Sequence, residues 1–220
     1  LMNSHNSSVI SNEASFCSKL TTTHDGIEFA WASSNNNYVG NLIVSSGGEG
    51  IDSYKSGDNN FVSNNTVYDS GKLGVEGTGI RITNGNFATV TKNIVNNNLG
   101  SGIIVTGTDN TKYQKSTGTL ISQNSIYDNK LVGIDLVRDG SSVSENDLGD
   151  GLTLNDLNDL DSGGNDLTNF PVLENGIVPC GSQNFVLSGW SRANANLEFF
   201  IAKVDPTQFG EGQTFILNTI

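Results

Sequence analysis

The chain has 220 residues and a net charge of −12, with 15% charged and 35% apolar residues. No apolar run approaches the eighteen or so residues that a membrane-spanning helix needs, so no bilayer span is expected. No basic patch exists to hold a phosphate backbone, which excludes nucleic acid as a partner.

Three Pro, 26 Gly and 30 Asn, most of the Asn before residue 130, predict tight turns between short strands rather than disorder. Cys17 and Cys180 are too few and too far apart for a disulfide framework or a zinc site, and read as two unrelated thiols. Leu1-Met2-Asn3 has neither the basic stretch nor the apolar segment of a signal peptide. The chain stops inside the apolar run Phe215–Ile220, so a piece of a longer polypeptide is expected.

Two markers alternate from the N-terminus. Gly-Ile pairs stand at Gly26-Ile27, Gly50-Ile51, Gly79-Ile80, Gly102-Ile103 and Gly133-Ile134, in steps of 24, 29, 23 and 31. Between them recur an apolar residue, an Asn three positions later and an apolar residue two beyond that. The copies are Tyr38/Asn41/Ile43, Val62/Asn65/Val67, Val90/Asn93/Val95 and Ile121/Asn124/Ile126, with a weaker one at Val9 and Asn12. No stretch of ten residues carries a helical apolar stripe.

One such unit cannot bury its apolar side, whereas stacked units build a continuous core. A coil of two or three short strands per turn is a right-handed parallel β-helix, here of about five rungs over residues 1–145. An insertion at Thr106–Gly118 should bulge from one corner. The recurrent Asn suits a corner with left-handed geometry and stacked amides. A leucine-rich repeat would show a fixed period and more Leu, and a propeller would need about forty residues per blade. The pattern resembles the β-helix repeat of many secreted bacterial proteins and polysaccharide-active enzymes.

Residues 146–168 form an acidic junction. Glu145, Asp147, Asp150, Asp156, Asp159, Asp161 and Asp166 occur with no Lys or Arg among them. Asp156, Asp159, Asp161 and Asn165 offer oxygen ligands at the density of a Ca²⁺ loop, the alternative being a solvated linker. The EF-hand pattern is not met, since the twelfth position counted from Asp159 is Phe170.

From residue 169 to 220 alternating strands are expected at Asn169–Leu173, Phe185–Gly189, Leu197–Val204 and Thr214–Leu217. They amount to about half of an immunoglobulin-like sandwich. Such a segment cannot stand alone with open edges and must pack on the coil or lack its remaining strands. The acidic run, Leu167-Thr168-Asn169-Phe170-Pro171-Val172-Leu173, Leu197–Phe200 and Phe209–Phe215 resemble a module of large exported bacterial surface proteins. Among these are proteins of gliding bacteria that use type IX secretion. The resemblance implies export, a multi-domain parent and a cell-surface location; its partners would be other domains of the same polypeptide, surface glycans or cell-surface proteins.

Two functions follow. The first is a structural stalk or adhesin, with Trp31, Tyr54, Tyr68 and Tyr127 able to stack on glycans. The second is a uronate-polysaccharide lyase or C5-epimerase. Its residues would come from an outward ladder of Glu28, Asp52, Arg81, Ile103 and Asp135, spaced about 4.8 Å between rungs. Glu28 and Asp52 would serve as the acid–base pair and Arg81 would hold the substrate carboxylate. His24, Tyr54 and Lys55 are near enough in sequence to join them. Against this, the Asp-Pro-His signature of related epimerases and the paired-Asp and His-Gly arrangement of pectin-hydrolysing coils are absent. An exposed Asp52–Arg81 pair would be worth under about 1 kcal/mol.

Overall fold

In the computed structural model the described residues are 1–17, 24–71, 76–109, 114–142 and 147–219. Five rungs of three strands succeed one another. They are β1 (Ser8–Ile10), β2 (Glu13–Ser15) and β3 (Ile27–Glu28), then β4 (Asn37–Val39), β5 (Leu42–Val44) and β6 (Ile51–Ser53). The third rung is β7 (Phe61–Ser63), β8 (Thr66–Tyr68) and β9 (Ile80–Ile82), and the fourth β10 (Thr89–Thr91), β11 (Ile94–Asn96) and β12 (Ile103–Val105). The last is β13 (Leu120–Ser122), β14 (Ser125–Tyr127) and β15 (Ile134–Leu136).

Each strand pairs in parallel with its counterpart one rung on, giving three five-stranded sheets around one core. The architecture is the expected parallel β-helix. The Gly-Ile isoleucines stack directly, Ile27 on Ile51 on Ile80 on Ile103 on Ile134. The two apolar positions around each Asn stack likewise, as Tyr38–Val62–Val90–Ile121 and Ile43–Val67–Val95–Ile126.

Because strand side chains alternate between faces, these columns point inward. Tyr38, Ile43, Ile51, Val62, Val67, Ile80, Val90, Val95 and Ile103 are fully buried, each worth roughly 1.5–3 kcal/mol. Phe29 closes one corner of the core, stacked on Tyr38 with centroids 4.2 Å apart.

The recurrent Asn runs as a buried amide ladder. Asn41 Oδ1 accepts from the Asn12 backbone N–H and side-chain amide, while Asn41 Nδ2 donates to Val9 O at 3.0 Å and Asn65 Oδ1 at 2.9 Å. Asn65 and Asn93 repeat the scheme. All four bonds of each amide are made, which is what lets so polar a group stay buried.

The stacking is as expected, but the left-handed turn belongs to the preceding residue. Gly40, Asn64, Lys92 and Gln123 have φ of 67°, 55°, 56° and 52°. The ladder Asn must aim its amide along the stack, so the turn falls to the residue before it. The insertion behaves as expected where it is described: Ser116 N–H donates to Thr106 O at 3.0 Å, closing its base, and β13 resumes in register.

Beyond the coil come two antiparallel hairpins, β16 (Val172–Ile177) with β17 (Val186–Trp190), and β18 (Leu197–Lys203) with β19 (Glu211–Thr219). The second caps the coil. Glu211 extends a further ladder of Asn98 and Asn129, accepting from Asn129 Nδ2 at 2.8 Å and its backbone N–H at 3.2 Å. Glu198 accepts from Ser122 Oγ at 2.6 Å and Gln123 N–H at 2.8 Å, and Lys203 pairs with Asp128 at 2.5 Å. Glu211 thus takes the position that a next rung would fill with an amide, and Glu198 that of the backbone carbonyl which the equivalent Lys92 N–H meets in Ser122. Cys17 and Cys180 are free. Among the described residues no helix is long and apolar enough to cross a membrane.

Candidate functional site

The third sheet carries the outward ladder. Glu28 stands opposite Asp52, Asp52 opposite Arg81, and Asp135 follows one rung beyond an isoleucine. That isoleucine is Ile104, not Ile103, because Ile103 belongs to the inward column. The ladder therefore forms, but not as an open groove.

Arg81 is buried and saturated with carboxylates. Its Nε donates to Asp52 Oδ1 at 2.9 Å and its Nη2 to Asp52 Oδ2 at 2.7 Å, a bidentate pair. Nη1 lies 3.0 Å from Glu49 Oε1 and bonds Asp147 Oδ1. Asp147 arrives from the junction, which folds back over the sheet. Thr78 Oγ1 donates to Asp147 O at 2.7 Å, Ser101 N–H to Leu148 O at 3.1 Å, and Gly151 N–H to Asp135 Oδ2 at 2.9 Å. Gly149, with φ +108°, lies where a Cβ would run into Asp135 Oδ2 and Ser101 Oγ. Residues 147–151 thus make a strap across the outer face of the third sheet.

The strap leaves Asp52 and Asp135 each 1% exposed and Arg81 4% exposed. Glu28 alone of the expected catalytic trio reaches solvent. Tyr54 and Lys55 turn away toward Trp31 instead. An arginine committed to three acids has no face left for a substrate carboxylate.

Acid outnumbers base in this region. Burial, with the charge of Asp52 behind it, pushes Asp25 up to about 7, and burial also holds Glu49 well above the usual carboxylate range. Glu28 is raised by burial and then by Asp52. Burial likewise takes Asp135 up to about 7, and the neighbouring Asp150 adds to it. Asp150 is itself held by Arg138 Nε at 2.7 Å.

Among the described residues, three carboxylate groups have oxygens within 4.8 Å of one another: Asp25/Glu49/Glu76, Asp25/Glu28/Asp52 and Asp156/Asp159/Asp161. The last contains three of the four expected Ca²⁺ ligands. Its loop is shaped by Asn169, whose Oδ1 accepts from Asp156 N–H at 3.0 Å and whose backbone N–H donates to Asp159 Oδ1 at 3.1 Å. The fourth expected ligand, Asn165, is elsewhere: its amide brackets Thr119, accepting from the N–H at 2.9 Å and donating to the carbonyl at 2.8 Å. It is a cap of the coil, because that amide satisfies the exposed backbone of the last rung.

Sequence reading missed Asp25, Glu49 and Asp147. The first two carried a signal, since each directly precedes the Gly of a Gly-Ile pair. Asp147 carried none, as only chain reversal brings it to Arg81. No protein-family model, no curated protein and no solved structure matches the chain.

Proposed function

We propose that the chain is a segment of an exported bacterial cell-surface protein, of the kind found in gliding bacteria with type IX secretion. There it serves as a rigid stalk whose outer surface contacts glycans or cell-surface proteins. The observation that carries this reading is the strap. It turns the ladder suited to lyase or epimerase chemistry into a buried ion cluster that binds junction to coil. Continuous apolar columns and saturated amide ladders add stiffness along the axis, as a stalk requires.

In this reading Asp156, Asp159 and Asp161 hold Ca²⁺, a hard cation that takes carboxylate oxygens and would relieve their mutual repulsion.

The test is incubation with alginate, pectin and glycosaminoglycans while unsaturated uronate absorbance is followed. No absorbance should develop; cleavage abolished by Asp52→Asn would overturn the stalk in favour of a lyase. For the metal, Ca²⁺ should raise the melting temperature and chelator lower it. A Asp159→Asn variant that responds to Ca²⁺ like the parent would remove the calcium assignment.

A further inference from the structure

Three left-handed corners of the coil carry aromatic side chains. Many corner residues with φ near +55° are Asn, Asp, Ser or Gly, types suited to that conformation. Phe16, Trp31 and Phe87 adopt it too, with φ of 54°, 55° and 56°. None is buried in exchange: they are 56%, 44% and 61% exposed. A bulky aromatic held in a disfavoured conformation and left in solvent contributes little to the core, and such outliers concentrate at functional surfaces.

Of the three, Trp31 has the most developed surroundings. Tyr54, one rung on, meets it edge to face with centroids 5.7 Å apart and planes at 81°. Lys55 sets its Nζ 5.2 Å from the Trp31 centroid and 5.5 Å from that of Tyr54. Backbone bonds from Trp31 N–H to Tyr54 O at 3.2 Å and from Ala32 N–H to Lys55 O at 2.9 Å lock the two rungs together. The Lys55 ammonium is thus steadied by ring faces rather than by a carboxylate. Among the described residues the ion pairs of the molecule involve other cations: Arg81, Lys115, Arg138 and Lys203.

We propose that the Trp31–Tyr54–Lys55 corner is a binding site for a uronate residue of an acidic polysaccharide. The proposal rests on the reading of the coil as a glycan-contacting surface and names the place and the sugar class. The C–H face of a pyranose stacks on the electron-rich indole, with the tyrosine as a wall. The Lys55 ammonium, held but not neutralised by the rings, takes the sugar carboxylate. The chain's net charge of −12 repels a polyanion elsewhere, confining contact to this corner and making it salt-sensitive.

Affinity electrophoresis through gels containing polygalacturonate or neutral dextran tests this directly. The parent protein should be retarded by polygalacturonate at low salt and not by dextran. Trp31→Asn, which suits the corner conformation, should abolish retardation, and Lys55→Gln should reduce it about tenfold. Unchanged melting temperatures should show that both variants keep the fold. Absence of retardation in the parent, or equal retardation of parent and both variants, overturns the proposal. Equal retardation of parent and Lys55→Gln by dextran overturns the uronate assignment in favour of a neutral sugar. Eliminative cleavage would sink the stalk reading, whereas unchanged retardation sinks only this corner, so the two failures are distinguishable.

Discussion

The coil and the hairpins that follow it are both β-structure, yet they are held by different means. In the coil, the inward columns of the inner rungs are fully buried and the amides of Asn41, Asn65 and Asn93 are satisfied. In the first hairpin both faces are apolar and open: Leu173 is 62% exposed and Trp190 52%. The difference is one of neighbours. A strand of an inner rung has a partner one rung away on each side, whereas β16 and β17 have only each other. An isolated two-stranded hairpin is marginal in water. What steadies the hairpin region at its coil-facing end is polar, through Glu198, Glu211 and Lys203.

Breaking the buried ion cluster should produce the largest effect. Arg81→Met leaves Asp52, Glu49 and Asp147 without their cation, and should cost about 3–5 kcal/mol in urea unfolding near neutral pH. Part of the loss should return toward pH 5 as the carboxyls take up protons. A variant as stable as the parent at neutral pH would show that the cluster does not hold the strap.

Next in size is the contrast between the two regions themselves. Ile80→Ala, in the middle of a buried column, should cost about 3 kcal/mol. Leu187→Ala, on the open face of β17, should cost under about 0.5 kcal/mol. Comparable losses would mean that the hairpins share a buried core with the coil.

A smaller and more diagnostic effect concerns pH. Asp135 has its folded-state value raised to about 7 from an ordinary 3.8. Between those values the folded chain holds a proton that the unfolded chain has released, so stability falls as pH rises through that window. Asp135 should contribute about 2 kcal/mol to the decline between pH 5 and 7, and Asp135→Asn should remove that share while leaving the part due to Asp25, which is also raised to about 7. A parent stability that rises over this range would contradict the buried, protonated state.

Much of the coil was legible in sequence because its period is written in residue types. A Gly-Ile pair admits few packings: a Cβ at Gly50 or Gly79 would run into the valine of the neighbouring column. The four later copies of the Asn motif made the amide ladder readable in the same way. The left-handed corner was misplaced by one residue because Gly40, Asn64, Lys92 and Gln123 share no residue type. The catalytic ladder was read in register at Glu28, Asp52, Arg81 and Asp135 but one residue off at Ile103, and its environment is buried rather than open. Register follows from the repeat, but cover does not.

The fate of the acidic junction shows where local information ends. Asp156, Asp159 and Asp161 converge as their spacing suggested, because the loop that gathers them spans few residues. Asn165 and Asp147, from the same stretch, are drawn to Thr119 and Arg81. Sequence by itself determined the coil, its rung count and its inward columns, because each is a contact between equivalent positions of neighbouring repeats. Tertiary structure alone decided that the outer face of the third sheet is covered and that Glu198 and Glu211 cap the last rung. Those contacts join unlike segments dozens of residues apart, and no periodicity encodes them.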